Sequence, residues 1–154
     1  SPRRMIRAIA QALRNYATFR GRTGRREAWW FLAFFIVGNF LLVNLTKFAL
    51  LGEVYGLAKW ASLVSWFFFW SMILPMSALT ARRLQDIGKP GALTILPTAA
   101  VMLVSVNERR LITQGYEALI PVFIVATPVF LWFFYWLARP GDPGINAYGP
   151  PPGA

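Results

Sequence analysis

Charged residues fall in clumps along this chain, and four long runs between the clumps carry none: 28–46, 60–81, 90–107 and 118–138. A helix crosses a hydrocarbon core of about 30 Å with about 20 apolar residues, because each residue advances it by about 1.5 Å. Backbone in lipid must satisfy its own polar groups, so such runs span as helices or do not span at all. The first, second and fourth runs meet the length requirement. The third is marginal and contains Pro97. The pattern predicts an all-α integral membrane bundle of four transmembrane helices in a single domain, with spans over 28–51, 59–81, 91–107 and 118–138. A re-entrant third segment is the alternative, and would send the C-terminus to the opposite side.

Ahead of the first run, residues 1–19 read as an amphipathic interfacial helix. Ile6, Ile9, Leu13, Tyr16 and Ala17 gather on one side of a helical wheel, and Arg3, Arg7, Gln11 and Arg14 on another. An arginine-rich helix of this kind beside a span fits a membrane surface, with Arg3, Arg4, Arg7 and Arg14 on anionic lipid. Nucleic acid is the competing polyanion. With the helix tethered to a span and no nucleic-acid module alongside, lipid is the expected partner and nucleic acid is not. The apolar run that follows is too long, and has no small-residue cleavage site, to read as a secretory signal.

Charge placement sets the expected orientation. Twelve of the sixteen basic residues fall on the N-terminal segment, the 82–89 segment and Arg139; Lys47, Lys59, Arg109 and Arg110 lie in the other two connections. The positive-inside rule then puts both termini in the cytoplasm, with 139–154 as a Pro/Gly-rich cytoplasmic tail. The chain has neither cysteine nor histidine. Thiol and imidazole chemistry are therefore excluded, and no cofactor or metal is expected. No carboxylate lies at mid-span, so a proton relay of the usual kind has no residue to run on.

Two segments flanking spans on the same expected side concentrate charge. In Phe19-Arg20-Gly21-Arg22-Thr23-Gly24-Arg25-Arg26-Glu27-Ala28-Trp29-Trp30, the glycines mark a turn, Thr23 is placed to cap the first membrane helix, and Glu27 sits near its positive end. In Arg82-Arg83-Leu84-Gln85-Asp86-Ile87-Gly88-Lys89-Pro90, Gly88 is placed just beyond a helix end. Asp86 near that negative end is unfavourable unless cations compensate it. A local Arg82–Asp86 pair would serve. A cluster of Arg22, Arg25, Arg26, Glu27, Arg82, Arg83 and Asp86 is the preferred reading, as the candidate anion- or lipid-binding site or structural clamp. Five arginines against two carboxylates leave positive charge for solvent or for an anion such as a lipid phosphate.

These segments, with the tail Gly144-Ile145-Asn146-Ala147-Tyr148-Gly149, resemble the YhaH-type bacterial inner-membrane proteins grouped as domain-of-unknown-function family 805. The resemblance rests on Phe19, Gly21, Arg22, Arg25 or Arg26, Glu27 and Trp29, then Arg82, Arg83, Leu84, Asp86 and Gly88, then the tail motif. Ala28, Gln85 and Ala92 depart from the family's usual aromatic, histidine and tryptophan. The resemblance implies a bacterial inner-membrane location and no established activity.

The polar residues inside the runs are expected to cement helix packing rather than line a pore. The aromatic runs Trp66–Trp70 and Phe130–Trp136 exceed what one helix face can bury, so part of each must meet lipid or a partner protein. Three function classes follow. A structural or accessory protein binding other membrane proteins, itself or anionic lipid is expected first. A small transporter, channel or lipid-handling protein with an arginine-lined anion site is the alternative. An enzyme is not expected, because no nucleophile–base pair is present.

Overall fold

The computed structural model describes residues 2–152; the side chains of Pro2, of residues 108–114, and of Tyr116 and Ala118 lie outside the description, as do Gly153 and Ala154 at the end of the expected tail. The regular elements are helical: α1 (Pro2–Arg14), α2 (Arg25–Leu51), α3 (Tyr55–Asp86), α4 (Ile95–Gln114) and α5 (Ile120–Ala138), with 3-10 turns at Gly91–Thr94 and Tyr116–Leu119. Beyond them there is one isolated bridge, between Asn146 and Gly149.

Among the described residues, three helices are long and apolar enough to cross a membrane: α2, α3 and α5. The third apolar run behaves differently. It opens as a 3-10 turn after Pro90, whose missing N–H and fixed φ suit a helix start, and its apolar stretch ends at Asn107. The helix continues past that point to Gln114, so Glu108, Arg109 and Arg110 belong to α4 rather than to a loop; their side chains lie outside the described residues. At most 22% of each apolar window in α2, α3 and α5 is buried within the chain. A surface that apolar matches lipid as its solvent, since water would penalise it.

The described residues form two compact units, 1–18 with 26–79 and 19–25 with 80–154. In the first, α1 stops at Arg14, short of the expected residue 19, and Asn15–Ala17 turn away. Ala8 and Ala12, one turn apart, are its buried positions. The hairpin of α2 and α3 is closed by Gly52-Glu53-Val54, with Glu53 at φ 58. Its helices meet through aromatic rings: Phe68 lies edge-on to Phe34 at 5.7 Å and near-parallel to Phe35 at 6.3 Å. Gly38 makes the room, since a Cβ there would come within 2.7 Å of Phe68 Cζ. Trp66 and Phe67 of the same aromatic run point outward.

Several polar residues of α2 and α4 bond to their own backbone. Asn39, Asn44 and Thr46 donate to the carbonyls of Phe35, Phe40 and Leu42 at 3.2, 2.7 and 3.0 Å, and Ser105 and Asn107 do likewise in α4. A one-turn back-bond of this kind satisfies one donor of each side chain within its own helix.

In the second unit, α3 ends in a Schellman turn. Lys89 N–H donates to Leu84 O at 2.9 Å and Gly88 N–H to Gln85 O at 3.2 Å, with Gly88 at φ 71. Pro121 sits in the first turn of α5 and Pro128 inside it. The Trp132 and Trp136 rings meet at a tilt, their centroids 3.9 Å apart, and Lys89 Nζ lies 5.8 Å from the Trp136 ring.

Candidate functional site

The second unit holds a buried charged core at the end of α3. Asp86, 2% exposed, accepts from Arg22 Nε through Oδ1 at 2.9 Å and from Arg83 Nη1 through Oδ2. Arg83 reaches it as i,i+3 on the same helix face, whereas Arg22 arrives from the 19–25 segment. Thr23 N–H donates to Arg82 O at 3.3 Å and fastens that segment to the helix.

Every N–H of the Arg22 guanidinium has an acceptor. Nη1 donates to Gly144 O at 2.6 Å and Gly149 O at 3.2 Å; Nη2 donates to Asp142 O and to Asp86 O at 3.5 Å. Arg83 Nη2 donates to the carbonyls of Leu137, at 3.3 Å, and Arg139. Two guanidinium groups against one carboxylate leave one net positive charge, and these six carbonyl dipoles are turned towards it. A buried charge is tolerable only with such compensation.

The tail is shaped to supply those carbonyls. Asp142 N–H donates to Asp86 O at 2.8 Å. Asn146 Nδ2 donates to Gln85 O at 2.9 Å and Asp142 Oδ2 at 3.0 Å, while its Oδ1 receives Tyr148 N–H at 2.9 Å. Gly149 closes the small loop by paired backbone bonds with Asn146, at φ 120. Gly141 lies so close to Asp86 that a Cβ would collide with the carboxylate. On the other side Gln85, also buried, donates from Nε2 to Phe19 O at 2.9 Å.

Of the residues singled out from the sequence, Arg22, Arg83 and Asp86 form this core. Arg82 is buried beside them, and its carbonyl holds Thr23. Arg25 is exposed and donates from Nη1 to Ala138 O at 3.2 Å. Arg26 and Glu27 stand in the first turn of α2 and belong to the first unit, as do Arg3, Arg4, Arg7 and Arg14 of α1; Arg3, Arg4, Arg7, Arg14 and Arg26 are exposed. One local expectation is corrected, and one local alternative gives way to the preferred pairing. Thr23 does not cap α2: it lies two residues before the helix begins, and its buried Oγ1 has no hydrogen-bond partner among the described residues. Asp86 takes Arg83 and Arg22 rather than Arg82, because i,i+3 placement and a second segment bring two guanidinium groups to it.

The tail's share of the core has no counterpart in the expectations drawn from charge. Asp142, Gly144 and Gly149 contribute backbone atoms, which leave no mark in a pattern of side chains. The available signal was the Asn146-x-Tyr148-Gly149 spacing, whose amide and glycine suit a tight turn.

Residues 16–150 match the protein family described as "Protein of unknown function (DUF805)", and the chain belongs to that family. Neither a curated protein nor a solved structure matches it. All three stretches that carried the resemblance, around Arg22, Asp86 and Asn146, contribute to the one core.

Proposed function

We propose that the protein is a small, non-enzymatic, multi-pass protein of the bacterial inner membrane, acting as a structural or accessory component that binds anionic lipid and neighbouring membrane proteins or its own copies. One observation carries the reading: Arg22 has no donor left for a ligand, since all of its N–H groups go to the chain's own acceptors. A guanidinium saturated in this way clamps helix and tail; an anion-transport site would leave donors turned towards an opening. The arginines left for lipid are then the exposed ones, Arg3, Arg4, Arg7 and Arg14 on α1 and Arg25 and Arg26 at the start of α2.

In this reading four segments cross the membrane and both termini face the cytoplasm. Without the apolar part of α4 as a span, Arg139 would lie across the membrane from Arg82 and Arg83, against the distribution of basic residues. The Arg22–Asp86 pair at 2.9 Å, the Arg83 Nη2 bond to Arg139 O and the tail held by Arg22 support the same reading, since they need the ends of α3 and α5 on one membrane face. Reporter fusions at Gly52, Pro90, Gly115 and Ala154 test the topology, with cytoplasmic signals expected at Pro90 and Ala154 and periplasmic ones at the other two. Purification in mild detergent followed by lipid analysis tests the lipid reading. Enrichment of anionic over zwitterionic phospholipid is expected, and should fall when Arg3, Arg4, Arg7 and Arg14 are replaced by glutamine.

A further inference from the structure

We propose that Phe19 and Ile145 form a two-point anchor that inserts into the headgroup–acyl boundary of the lipid leaflet at the C-terminal end of α3. This rests on the membrane reading above and assigns a contact that the charged core does not need.

Ile145 is 82% exposed and Phe19 39% exposed, although both belong to segments fixed to the buried core. On one side of Ile145, Gly144 O accepts from Arg22 at 2.6 Å; on the other, Asn146 Nδ2 is bonded to Gln85 O at 2.9 Å. The carbonyl of Phe19 is held by the side chain of the same Gln85, at 2.9 Å. Two large apolar side chains from opposite ends of the sequence are therefore presented outward from backbones tied to one buried glutamine. A mobile loop would lose conformational entropy on inserting such residues, whereas fixed backbones lose little.

The depth of the core gives the occupant. The charge-free run of α3 ends at Ala81, and Gln85 and Asp86 follow within about 8 Å along the helix axis at about 1.5 Å per residue. The interfacial layer on each side of the hydrocarbon core is about 5–7 Å thick. Side chains rooted at Gln85 therefore lie at headgroup level. Arg20 and Arg139, both exposed and in the same unit, supply the cationic complement to an anionic surface. Apolar side chains beside arginines at that depth are the chemistry of an interfacial anchor.

The chain has no cysteine, so single cysteine substitutions can be spin-labelled without background labelling. Phe19→Cys, Ile145→Cys and Phe67→Cys would be labelled in the full chain and reconstituted into phosphatidylglycerol–phosphatidylethanolamine vesicles. Collisions with oxygen and with an aqueous nickel chelate would then be compared. Phe67 is 69% exposed in the middle of α3 and reports on the membrane reading itself. The expected result is nickel-inaccessible Phe67, with labels at 19 and 145 showing oxygen collisions raised and nickel collisions reduced relative to free label. Aqueous behaviour at 19 and 145 with Phe67 buried overturns the anchor alone. Aqueous behaviour at Phe67 overturns the membrane reading. Dipolar broadening between labels at 145 would assign that residue to a contact between copies of the chain and equally overturn the anchor.

Discussion

Arg22 and Asp86 are 64 positions apart in the chain, yet Nε and Oδ1 stand 2.9 Å apart with both side chains almost fully buried. Asp86 shares itself between this arginine and Arg83, so the carboxylate compensates two buried cations at once. Removing it leaves two guanidinium groups without a counter-charge. Removing Arg83 leaves the Arg22–Asp86 pair whole and frees two carbonyls. Breaking one side of a buried ion pair costs about 3–5 kcal/mol. Asp86→Asn should therefore lower thermal stability in detergent by more than Arg83→Gln does. The reverse order would mean that Asp86 is not the shared partner.

Arg22→Lys tests geometry rather than charge. An ammonium keeps the ion pair with Asp86, but its three donors cannot serve the carbonyls of Gly144, Gly149 and Asp142 together. The tail should loosen while helix content stays constant. Hydrogen exchange at Asp142 and Gly149 N–H should be faster in Arg22→Lys than in the parent.

Gly141 and Gly88 extend the same argument to the backbone. A methyl group at Gly141 would collide with the Asp86 carboxylate, and one at Gly88 would sit 3.0 Å from Asp142 Oδ2 on a residue already at φ 71. Gly141→Ala must displace the tail or the carboxylate, whereas Gly88→Ala mainly strains the Schellman turn by about 1–2 kcal/mol. Both should lower the melting temperature, with Gly141→Ala also raising exchange at Asp142 N–H.

How far the sequence predicts this arrangement depends on which atoms carry the signal. Charge-free runs announce α2, α3 and α5, because hydropathy acts through side chains that the sequence spells out. Arg22, Arg83 and Asp86 are equally visible, since a carboxylate at a helix C-terminus requires cations. Gly144, Asp142 and Gly149 act through carbonyls that every residue possesses, so charge does not distinguish them, and only the amide and glycine spacing of the tail marks a turn there. The end of α4 was hidden for a related reason: Glu108, Arg109 and Arg110 interrupt the apolar run without interrupting the helix, which charged residues with good helical propensity readily continue. Thr23 misled because its spacing suits a cap, while a backbone bond to Arg82 O draws it into the core instead.

Within the first unit, the close approach at Gly38 makes the α2–α3 hairpin sensitive to a single methyl group. Gly38→Ala places its Cβ within 2.7 Å of Phe68 Cζ, so the ring must move and disturb its contacts with Phe34 and Phe35. Overpacking of this kind costs about 1–3 kcal/mol. Phe68→Leu introduced together with Gly38→Ala should restore part of the loss, a coupling that a double-mutant cycle on thermal stability would read.

Residues 6 and 8 divide the apolar side of α1 into two edges. Ala8 and Ala12 are 6% and 3% exposed, while Ile6 and Leu13 on the opposite edge are 61% and 39% exposed. If the outer edge serves the lipid surface, the two edges will answer to different measurements. Ala8→Leu overfills a covered site and should lower the stability of the whole protein by about 1–3 kcal/mol. Ile6→Ser should leave that stability unchanged, because the side chain is uncovered within the chain. In a peptide of residues 1–19, Ile6→Ser should weaken binding to phosphatidylglycerol vesicles by about 1–2 kcal/mol, roughly tenfold, from the apolar area withdrawn from the interface. Added salt should weaken the parent peptide as well, by screening Arg3, Arg4, Arg7 and Arg14 from the anionic surface. Equal binding to neutral and anionic vesicles, unaffected by salt, would reduce α1 to an apolar contact and remove its arginines from the lipid-binding set.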